Sequence, residues 1–433
     1  MTAPALSADP YAPFRYRDYR LFIAMVLIAS LCQQSLGVAV GWDIYERTGS
    51  AMALGWAGLA QFIPVLLFFL PAGQIADRYD RRRVVAVSLT MWVAGSAVLV
   101  WSAAHAAPVV TIYAALVIVG ASTVLNRAGR DALLSQLVPP AVLARAVTWN
   151  STVFQTASVA GPSLAGVLIV AFGTAGGAAG SGAGGSAAGT ASATSGSAIA
   201  VYVFNLGGML VAMAMALLIR PYPLVSAKRP STLADVFGGL AHVWRTKVVL
   251  GLVTIDLFAV LLGGAVALLP IYAKDILHAG ATGLGWLAAA PAVGAVSMAF
   301  IHARARPNLH AGRAFLWAVA VFGIATIVFG LSHWYWLSFI ALVVVGAADN
   351  VGAVIRQTAV QLYTPDELRG RVAAVNRVFI SSSNELGAVE SGLLASLTNP
   401  VFTVVAGGLA VLLIAAGGFK VFPDLKNLKT VGG

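Results

Sequence analysis

Apolar residues in this chain come in long runs that are separated by short polar stretches. A run of about 20 apolar residues can cross the hydrocarbon core of a bilayer, which is about 30 Å thick, as an α-helix. Twelve such runs fall near residues 19–42, 52–72, 84–104, 108–128, 147–172, 199–219, 248–271, 283–302, 314–332, 334–355, 372–396 and 400–422. The pattern therefore predicts an all-α membrane protein with twelve transmembrane helices.

Composition agrees with this prediction. Of the 433 residues, 59% are hydrophobic and only 10% are charged, whereas a soluble domain carries about a quarter charged residues. The first eighteen residues are polar or contain proline, so we expect no cleavable signal peptide before the first span. Cys32 is the only cysteine, which excludes a disulfide framework or a cysteine-based metal site within one chain.

Basic residues lie almost entirely on one predicted side of the membrane. Of the 27 lysines and arginines, all but Arg47 and Lys274 fall at the termini or in connections on that side. Positively charged loops stay in the cytoplasm, so both termini are expected there. The net charge of +11 does not indicate a nucleic-acid partner, because the basic residues are scattered over many segments beside the lipid.

An internal repeat relates the two halves of the chain at an offset of 226 residues. The matching pairs are Gly120 with Gly346, Arg130 with Arg356, Pro139 with Pro365, Arg145 with Arg371, Asn150 with Asn376, Gly161 with Gly387, and Gly166 with Gly392. The repeat predicts two parallel six-helix halves, at 1–220 and 248–433.

Two connections differ from the rest. The cytoplasmic linker 221–247 is predicted to contain a short amphipathic helix, lying on the membrane surface or against the helix bundle. The apolar face of that helix consists of Leu233, Val236, Phe237, Leu240 and Val243. Residues 173–198 are almost entirely Gly, Ala, Ser and Thr, so we expect a flexible outer loop.

A dense charge cluster, GQIADRYDRRR from Gly73 to Arg83, joins the second and third spans. It can serve topology alone, because arginines do not enter the membrane core. It can also provide a partner for Asp77, whose carboxylate would be costly if it were unpaired. The candidate partners are Arg78, Arg81, Arg127 and Arg130. We favour Arg130, because its repeat mate Arg356 stands at the same inner helix end.

The twelve spans, the two parallel halves and this loop together resemble the major facilitator superfamily of secondary transporters. The signature loop of that superfamily, between its second and third spans, has the pattern G-x-x-x-D-R-x-G-x-R-R. The matching residues are Gly73, Asp77, Arg78, Arg82 and Arg83, while Asp80 replaces the second glycine. The resemblance implies a cytoplasmic latch that holds the outward-facing state. We assign it to Gly73, Asp77, Arg78 and Arg82, with Arg130 as the paired arginine. The corresponding loop of the second half, from His302 to Arg313, lacks the acid.

Residues Thr364 to Gly392 resemble the branch of the superfamily that holds the enterobactin exporter and drug–proton antiporters such as macrolide-efflux proteins. Gly161-Pro162 followed by Gly166 partly matches the glycine-rich fifth span of antiporters. A kinked, closely packed helix is the alternative explanation of these residues. The resemblance implies efflux but does not identify the substrate.

Carboxylates within the predicted spans mark the places where protons are expected to bind. Each is costly at membrane depth unless it faces a cavity or a partner. The proton-coupling candidates, in order, are Asp256, Glu385 and Asp349, with Glu390 as a further candidate. An ion pair or a cavity-facing residue without a transport role is the alternative for each. Asp43 lies near the predicted outer interface, where we expect it to be solvated.

The leading functional hypothesis is a bacterial inner-membrane exporter that is driven by proton entry. Its substrates would be amphipathic organic molecules such as drugs or siderophores, bound by amide and aromatic side chains. The candidate cavity amides are Gln33, Gln34, Gln61, Asn126, Asn376 and Asn384. The alternatives are uptake or lysophospholipid flipping by the same fold, or a membrane receptor or scaffold that transports nothing.

Other energy sources and activities are not expected. The sequence has no G-x-x-x-x-G-K-[ST] phosphate loop, so ATP is not the direct energy source. No nucleophile–base arrangement stands out on any soluble segment, and there is hardly any soluble segment to hold one, so an enzyme is not expected. We expect a monomer in the lipid bilayer that uses the proton gradient, with no cofactor, no metal and no nucleic acid.

Overall fold

The computed structural model of the protein describes residues 9–180, 198–220, 233–304, 310–365, 368–422 and 425. Within these residues the chain is almost entirely helical and has no β-strand. The helices are α1 (Arg17–Thr48), α2 (Ala51–Arg78), α3 (Arg81–Ala104), α4 (Val109–Leu137), α5 (Pro140–Gly180), α6 (Ile199–Leu218), α7 (Leu233–Arg245), α8 (Lys247–Leu262), α9 (Gly280–Arg304), α10 (Ala311–Leu331), α11 (Tyr335–Leu362), α12 (Arg369–Leu397) and α13 (Pro400–Val421). A 3₁₀ turn at Ala12–Arg15 precedes α1, and short 3₁₀, α and π turns continue α8 to Ile276.

Within the described residues, eleven helical segments are long and apolar enough to cross a membrane. The seventh of them combines α8 with its continuation, Lys247–Ile276. Helix α12 is also long enough, with 29 residues, but its charged and amide side chains lower its mean hydropathy. The twelve predicted runs thus correspond to helices of transmembrane length, and the predicted all-α membrane fold is confirmed.

One boundary differs from the sequence expectation. Helix α5 runs to Gly180, so residues 173–180 are helical although they were expected to begin the flexible outer loop. A helix that has already formed gains one backbone hydrogen bond for each residue added, which allows small residues to extend it. Residues 181–197 of the expected loop lie outside the described residues.

The chain divides into two compact units, Met1–Arg47 with Ile63–Ser231 and Thr48–Phe62 with Thr232–Gly433. In the first unit, the third long helix, α3, packs on α4 and α6. In the second unit, the third long helix, α10, packs on α11 and α13 in the same way. Helix packing inside the two units therefore follows the order of the sequence repeat.

The linker helix α7 belongs to the second unit. Its residue Val243 is buried with valines of α8, α11 and α12, and Leu240 packs against the same cluster. Of the two positions expected for this helix, α7 therefore takes the one against the bundle. The side chains of Leu233, Val236 and Phe237, on the predicted apolar face, lie outside the described part of the structure.

Residues at two helix starts explain where those helices begin. Asp80 precedes α3, and its carboxylate accepts the Arg82 backbone N–H at 3.0 Å. Asn399 precedes α13 and accepts the Phe402 N–H at 2.7 Å. Both side chains satisfy backbone donors that have no partner within the helix. The aspartate that replaces a glycine in the loop motif therefore acts as a helix cap.

Candidate functional site

A buried ion pair joins α8 and α11, which are the first and fourth of the six long helices between Lys247 and Val421. The guanidinium of Arg356 on α11 donates to the carboxylate of Asp256 on α8. Their side chains are only 6% and 10% exposed. At 1.5 Å per residue, Asp256 lies about 14 Å from the Lys247 end of α8, and Arg356 about 9 Å from the Leu362 end of α11. The pair therefore lies at membrane depth, where an unpaired charge is costly.

A small cavity of about 20 Å³ lies beside this pair, which is room for about one water molecule. It is lined by Asp256, Ala259, Val260, Ala318, Val319, Phe322, Ala348, Asp349 and Gly352. Asp349 and Arg356 are seven residues apart on α11, a spacing that places them on one face of the helix. The structure therefore brings together two of the predicted coupling residues, Asp256 and Asp349.

The two aspartates have different surroundings. Asp256 is buried in its ion pair, whereas Asp349 is exposed. Arg356 also keeps unused donor capacity, because its Nε has no hydrogen-bond partner among the described residues. The arginine was predicted only as the repeat mate of Arg130. Its pairing with an acid 100 residues away was not predicted.

The other two coupling candidates lie on α12. The side chain of Glu385 is partly buried, and its carboxylate is 3.7 Å from the position that a Cβ would take on Gly58 of α2. Glu390 is also partly buried and accepts a hydrogen bond of 3.3 Å from Ser391. Neither glutamate lines the cavity beside Asp256.

Asp43 was expected to be solvated, but the structure places it in the interior of the first unit. Its side chain is fully buried in the first unit. It accepts a hydrogen bond from Arg47 Nε at 2.7 Å and another from the Tyr202 hydroxyl at 2.9 Å. Arg47 also donates to the Ala107 carbonyl at 3.1 Å. The expectation was wrong because it considered depth along α1 and not the helix face that carries Asp43.

The same cluster shows how Arg47 is accommodated in a mostly buried position. The charge of Arg47 is balanced by Asp43 in an i, i+4 ion pair. Arg47 Nη2 has no hydrogen-bond partner among the described residues, and its side chain is 12% exposed.

The amide residues proposed for a substrate cavity have varied surroundings. Asn126 is buried and donates to Ser88 Oγ at 2.9 Å, a contact between α4 and α3. The exposed Asn384 donates to the Ile380 carbonyl of its own helix at 2.9 Å. Asn376 carries a buried Oδ1 that has no partner within the described residues. Gln33, Gln34 and Gln61 are partly buried.

The Gly-Pro motif of α5 lies at a close contact with α1. A Cβ on Gly161 would lie 2.6 Å from Cβ of Gln34 and 3.0 Å from the Leu31 carbonyl oxygen. The hydroxyl of Ser35 lies 2.9 Å from the Gly161 carbonyl oxygen. Small residues allow membrane helices to approach closely and to be joined by such hydrogen bonds. The glycine therefore serves helix packing here.

Sequence reasoning missed one buried polar residue, Asn205 on α6. Its Oδ1 accepts hydrogen bonds from Ser96 at 2.7 Å and from the Trp92 indole at 3.2 Å. Its Nδ2 donates to the Cys32 carbonyl at 2.7 Å. The amide thereby connects α6 to α3 and α1. A single asparagine in an otherwise apolar span was the available signal.

The connection between α2 and α3 contains the residues of the predicted latch. Arg78 is exposed at the end of α2, and Gly73 and Arg130 are partly buried. Arg82 donates to the Leu217 carbonyl at the end of α6. The side chain of Asp77 lies outside the described part of the structure, so the latch stays a prediction.

Repeated helical units and an ion pair buried at membrane depth are features of secondary transporters. The chain belongs to the Major Facilitator Superfamily, whose sequence profile matches residues 22–388. It is thus a multi-pass membrane transporter and not an enzyme, and the family resemblance inferred from the sequence is confirmed.

Relatives and solved structures agree with this assignment. The multidrug efflux pump Tap of Mycolicibacterium fortuitum is 28% identical over 400 residues, which cover 90% of this chain and 92% of that protein. Macrolide efflux protein A of Streptococcus pyogenes is 24% identical over 161 residues, 37% of this chain and 40% of that protein. A bacterial homologue of the human lysosomal transporter Spinster, in an inward-facing and occupied conformation, has a TM-score of 0.72 at 17% identity, covering 95% of this chain and 98% of that one. At that identity the structural match shows the fold alone.

Proposed function

We propose that this transporter exports amphipathic organic molecules across a bacterial inner membrane in exchange for protons. The relatives named as multidrug and macrolide efflux proteins support both the direction and the class of substrate. In this proposal the protein works as a monomer with both termini in the cytoplasm, and the proton gradient is its energy source. Substrate and proton reach their sites by alternating access.

The observation that carries the proton-coupling proposal is the shared environment of Asp256, Arg356 and Asp349. Two carboxylates line the cavity and one guanidinium is bound to one of them. Among the described residues, no other charged side chain lines this cavity. In this proposal a proton balances the charge of the second carboxylate, Asp349, which the single guanidinium does not neutralise.

The same pair offers a way to link protonation to a change of shape. The ion pair of Asp256 with Arg356 joins α8 to α11. A proton that arrives at Asp349 can pass to Asp256 through one water in the cavity, which removes the attraction that holds Arg356. A pair that forms in one state and breaks in another is a bistable element of the kind that conformational switching requires.

Everted membrane vesicles that contain the full-length protein test this proposal. When the interior of the vesicles is more acidic than the medium, we expect them to accumulate ethidium, a fluorescent amphipathic cation. As ethidium enters, protons should leave and the pH difference across the membrane should decrease. Asp256→Asn and Asp349→Asn should abolish gradient-driven accumulation. Asp80→Asn is the matched control, because asparagine also caps a helix and residue 80 lies outside the spans.

The possible results separate direction from coupling. Accumulation that persists after the gradient is collapsed would contradict proton coupling. If ethidium accumulates only in right-side-out vesicles, the direction of transport is uptake and the proposed export is wrong. No movement of ethidium, of a macrolide or of a lysophospholipid in either orientation would contradict transport of amphipathic molecules altogether.

A further inference from the structure

Each unit has a segment that precedes its first long helix and packs on its fifth long helix. In the first unit this segment is the 3₁₀ turn Ala12–Arg15, which packs on α5. In the second unit it is α7, which packs on α12. One segment is a single turn and the other a 13-residue helix, so their lengths alone do not suggest a common role.

Aromatic contacts hold the N-terminal segment on α5. The ring of Trp149 lies 5.1 Å from that of Phe14 in a T-shaped arrangement and 5.6 Å from that of Tyr11. The Trp149 indole N–H also donates to the Pro10 carbonyl at 3.0 Å. Such ring pairs are stabilising beyond the area that they bury.

Polar contacts extend this attachment to the start of α1. Arg145 of α5 donates to the backbone carbonyl of Asp9. The Tyr19 hydroxyl on α1 donates to the Ala146 carbonyl at 3.1 Å. The Phe14 ring packs edge-on against that of Tyr19 at 5.6 Å. The segment therefore contacts α1 and α5 at the same end of the first unit.

In the second unit, α7 occupies the corresponding place. Its Val243 is buried in one cluster with Val372 and Val375 of α12. Gly238 of α7 also lies close to Arg371 of α12, because a Cβ on this glycine would be 3.7 Å from Arg371 Nη1. Helix α7 thus contacts the start of α12 directly before it leads into α8.

The contacted residues on the two fifth helices are repeat mates. At the offset of 226, Arg145 matches Arg371, Ala146 matches Val372, and Trp149 matches Val375. On α5, Arg145 and Trp149 contact the N-terminal segment and Ala146 contacts α1. On α12, Arg371 lies next to α7, and Val372 and Val375 lie in one cluster with residues of α7 and α8. Two segments with unrelated sequences therefore cover the same patch of the repeated fifth helix.

We propose that residues 9–16 form a clamp that is equivalent to α7, so that each half has a clamp joining its first and fifth long helices at one end. The clamp keeps these two helices together while each half moves as a rigid body during alternating access. This role of the clamp is independent of the substrate, of the direction of transport and of proton coupling.

Hydrogen exchange of the full-length protein in detergent tests the clamp. The backbone N–H groups of Ala12, Phe14 and Tyr16 are bonded within the segment and report its opening. Trp149→Ala should speed their exchange by about tenfold or more, because local opening no longer breaks the ring contacts and the indole hydrogen bond. Trp149→Phe keeps the ring contacts and should have a smaller effect.

Two further variants complete the test. If Trp149→Ala does not fold, Tyr11→Ser with Phe14→Ser leaves α5 intact, and exchange at residues 143–150 should then rise. Val243→Ala should speed exchange in α7 and leave the N-terminal segment unchanged. Unchanged exchange in the N-terminal segment of folded Trp149→Ala would overturn the clamp. Unchanged exchange in α7 of Val243→Ala would overturn the equivalence of the two segments.

Discussion

Removing both charges of the Asp256–Arg356 pair together should destabilise the protein much less than the sum of the two single removals. Both side chains are at least nine-tenths buried. Asp256→Asn leaves Arg356 charged at membrane depth, with its Nε already lacking a partner among the described residues. Breaking a buried ion pair in this way costs about 3–5 kcal/mol of unfolding free energy. Replacing both residues by neutral ones, Asp256→Asn with Arg356→Gln, should cost much less than the sum of the single changes.

A double-mutant cycle measures this difference. The purified variants are unfolded with denaturant in detergent micelles, and tryptophan fluorescence gives the free energy of unfolding. We expect an interaction energy of at least about 2 kcal/mol. Asp349→Asn is the matched control at the same cavity. Because Asp349 is exposed, its substitution should change stability by less than about 1 kcal/mol. Additive effects of Asp256→Asn and Arg356→Gln, within about 0.5 kcal/mol, would refute the reasoning.

Three other predictions concern stability and use the same unfolding measurement. Gly161→Ala should lower the free energy of unfolding by about 1–3 kcal/mol, because the added methyl group overpacks the contact with α1. Gly37→Ala is its control and should be neutral or stabilising, because a Cβ there would meet nothing within 4 Å. Equal effects of the two substitutions would contradict the close contact at Gly161. Tyr202→Phe should cost about 1.5–3 kcal/mol, because it removes a buried hydrogen bond to the carboxylate of Asp43; an unchanged midpoint would show that this hydrogen bond contributes nothing. Asp80→Ala should cost about 1 kcal/mol and Asp80→Asn should cost little, since only the first loses the helix cap; equal losses would exclude capping.

The fold was largely predictable from the sequence, because lipid imposes a simple length and polarity on each span. The repeat predicted that the two halves share one internal arrangement, and helix packing within the units follows it. The end of α5 was less predictable. Small residues between two elements neither require nor forbid helix, so composition alone could not locate the end at Gly180.

Side-chain partners were much less predictable than spans. Asp43 has Arg47 four residues later, a local signal for an ion pair, but its partner Tyr202 comes from another helix. The pairing of Asp256 with Arg356 depends on which faces of α8 and α11 meet. Apolar helices carry little information about this, because lipid-facing and protein-facing residues are equally apolar. The burial of Asp256 could be inferred from its place in an apolar span, but its pairing with Arg356 could not.

The central claim, that proton movement is coupled to export through Asp256, Arg356 and Asp349, is tested most directly in proteoliposomes. The purified protein is reconstituted with a pH-sensitive dye inside, and ethidium is added without any imposed gradient. We predict that ethidium movement drives proton movement in the opposite direction, and that Asp349→Asn abolishes the pH change. Ethidium movement with no pH change in the unmodified protein, or an unaltered pH change in Asp349→Asn, would contradict the account.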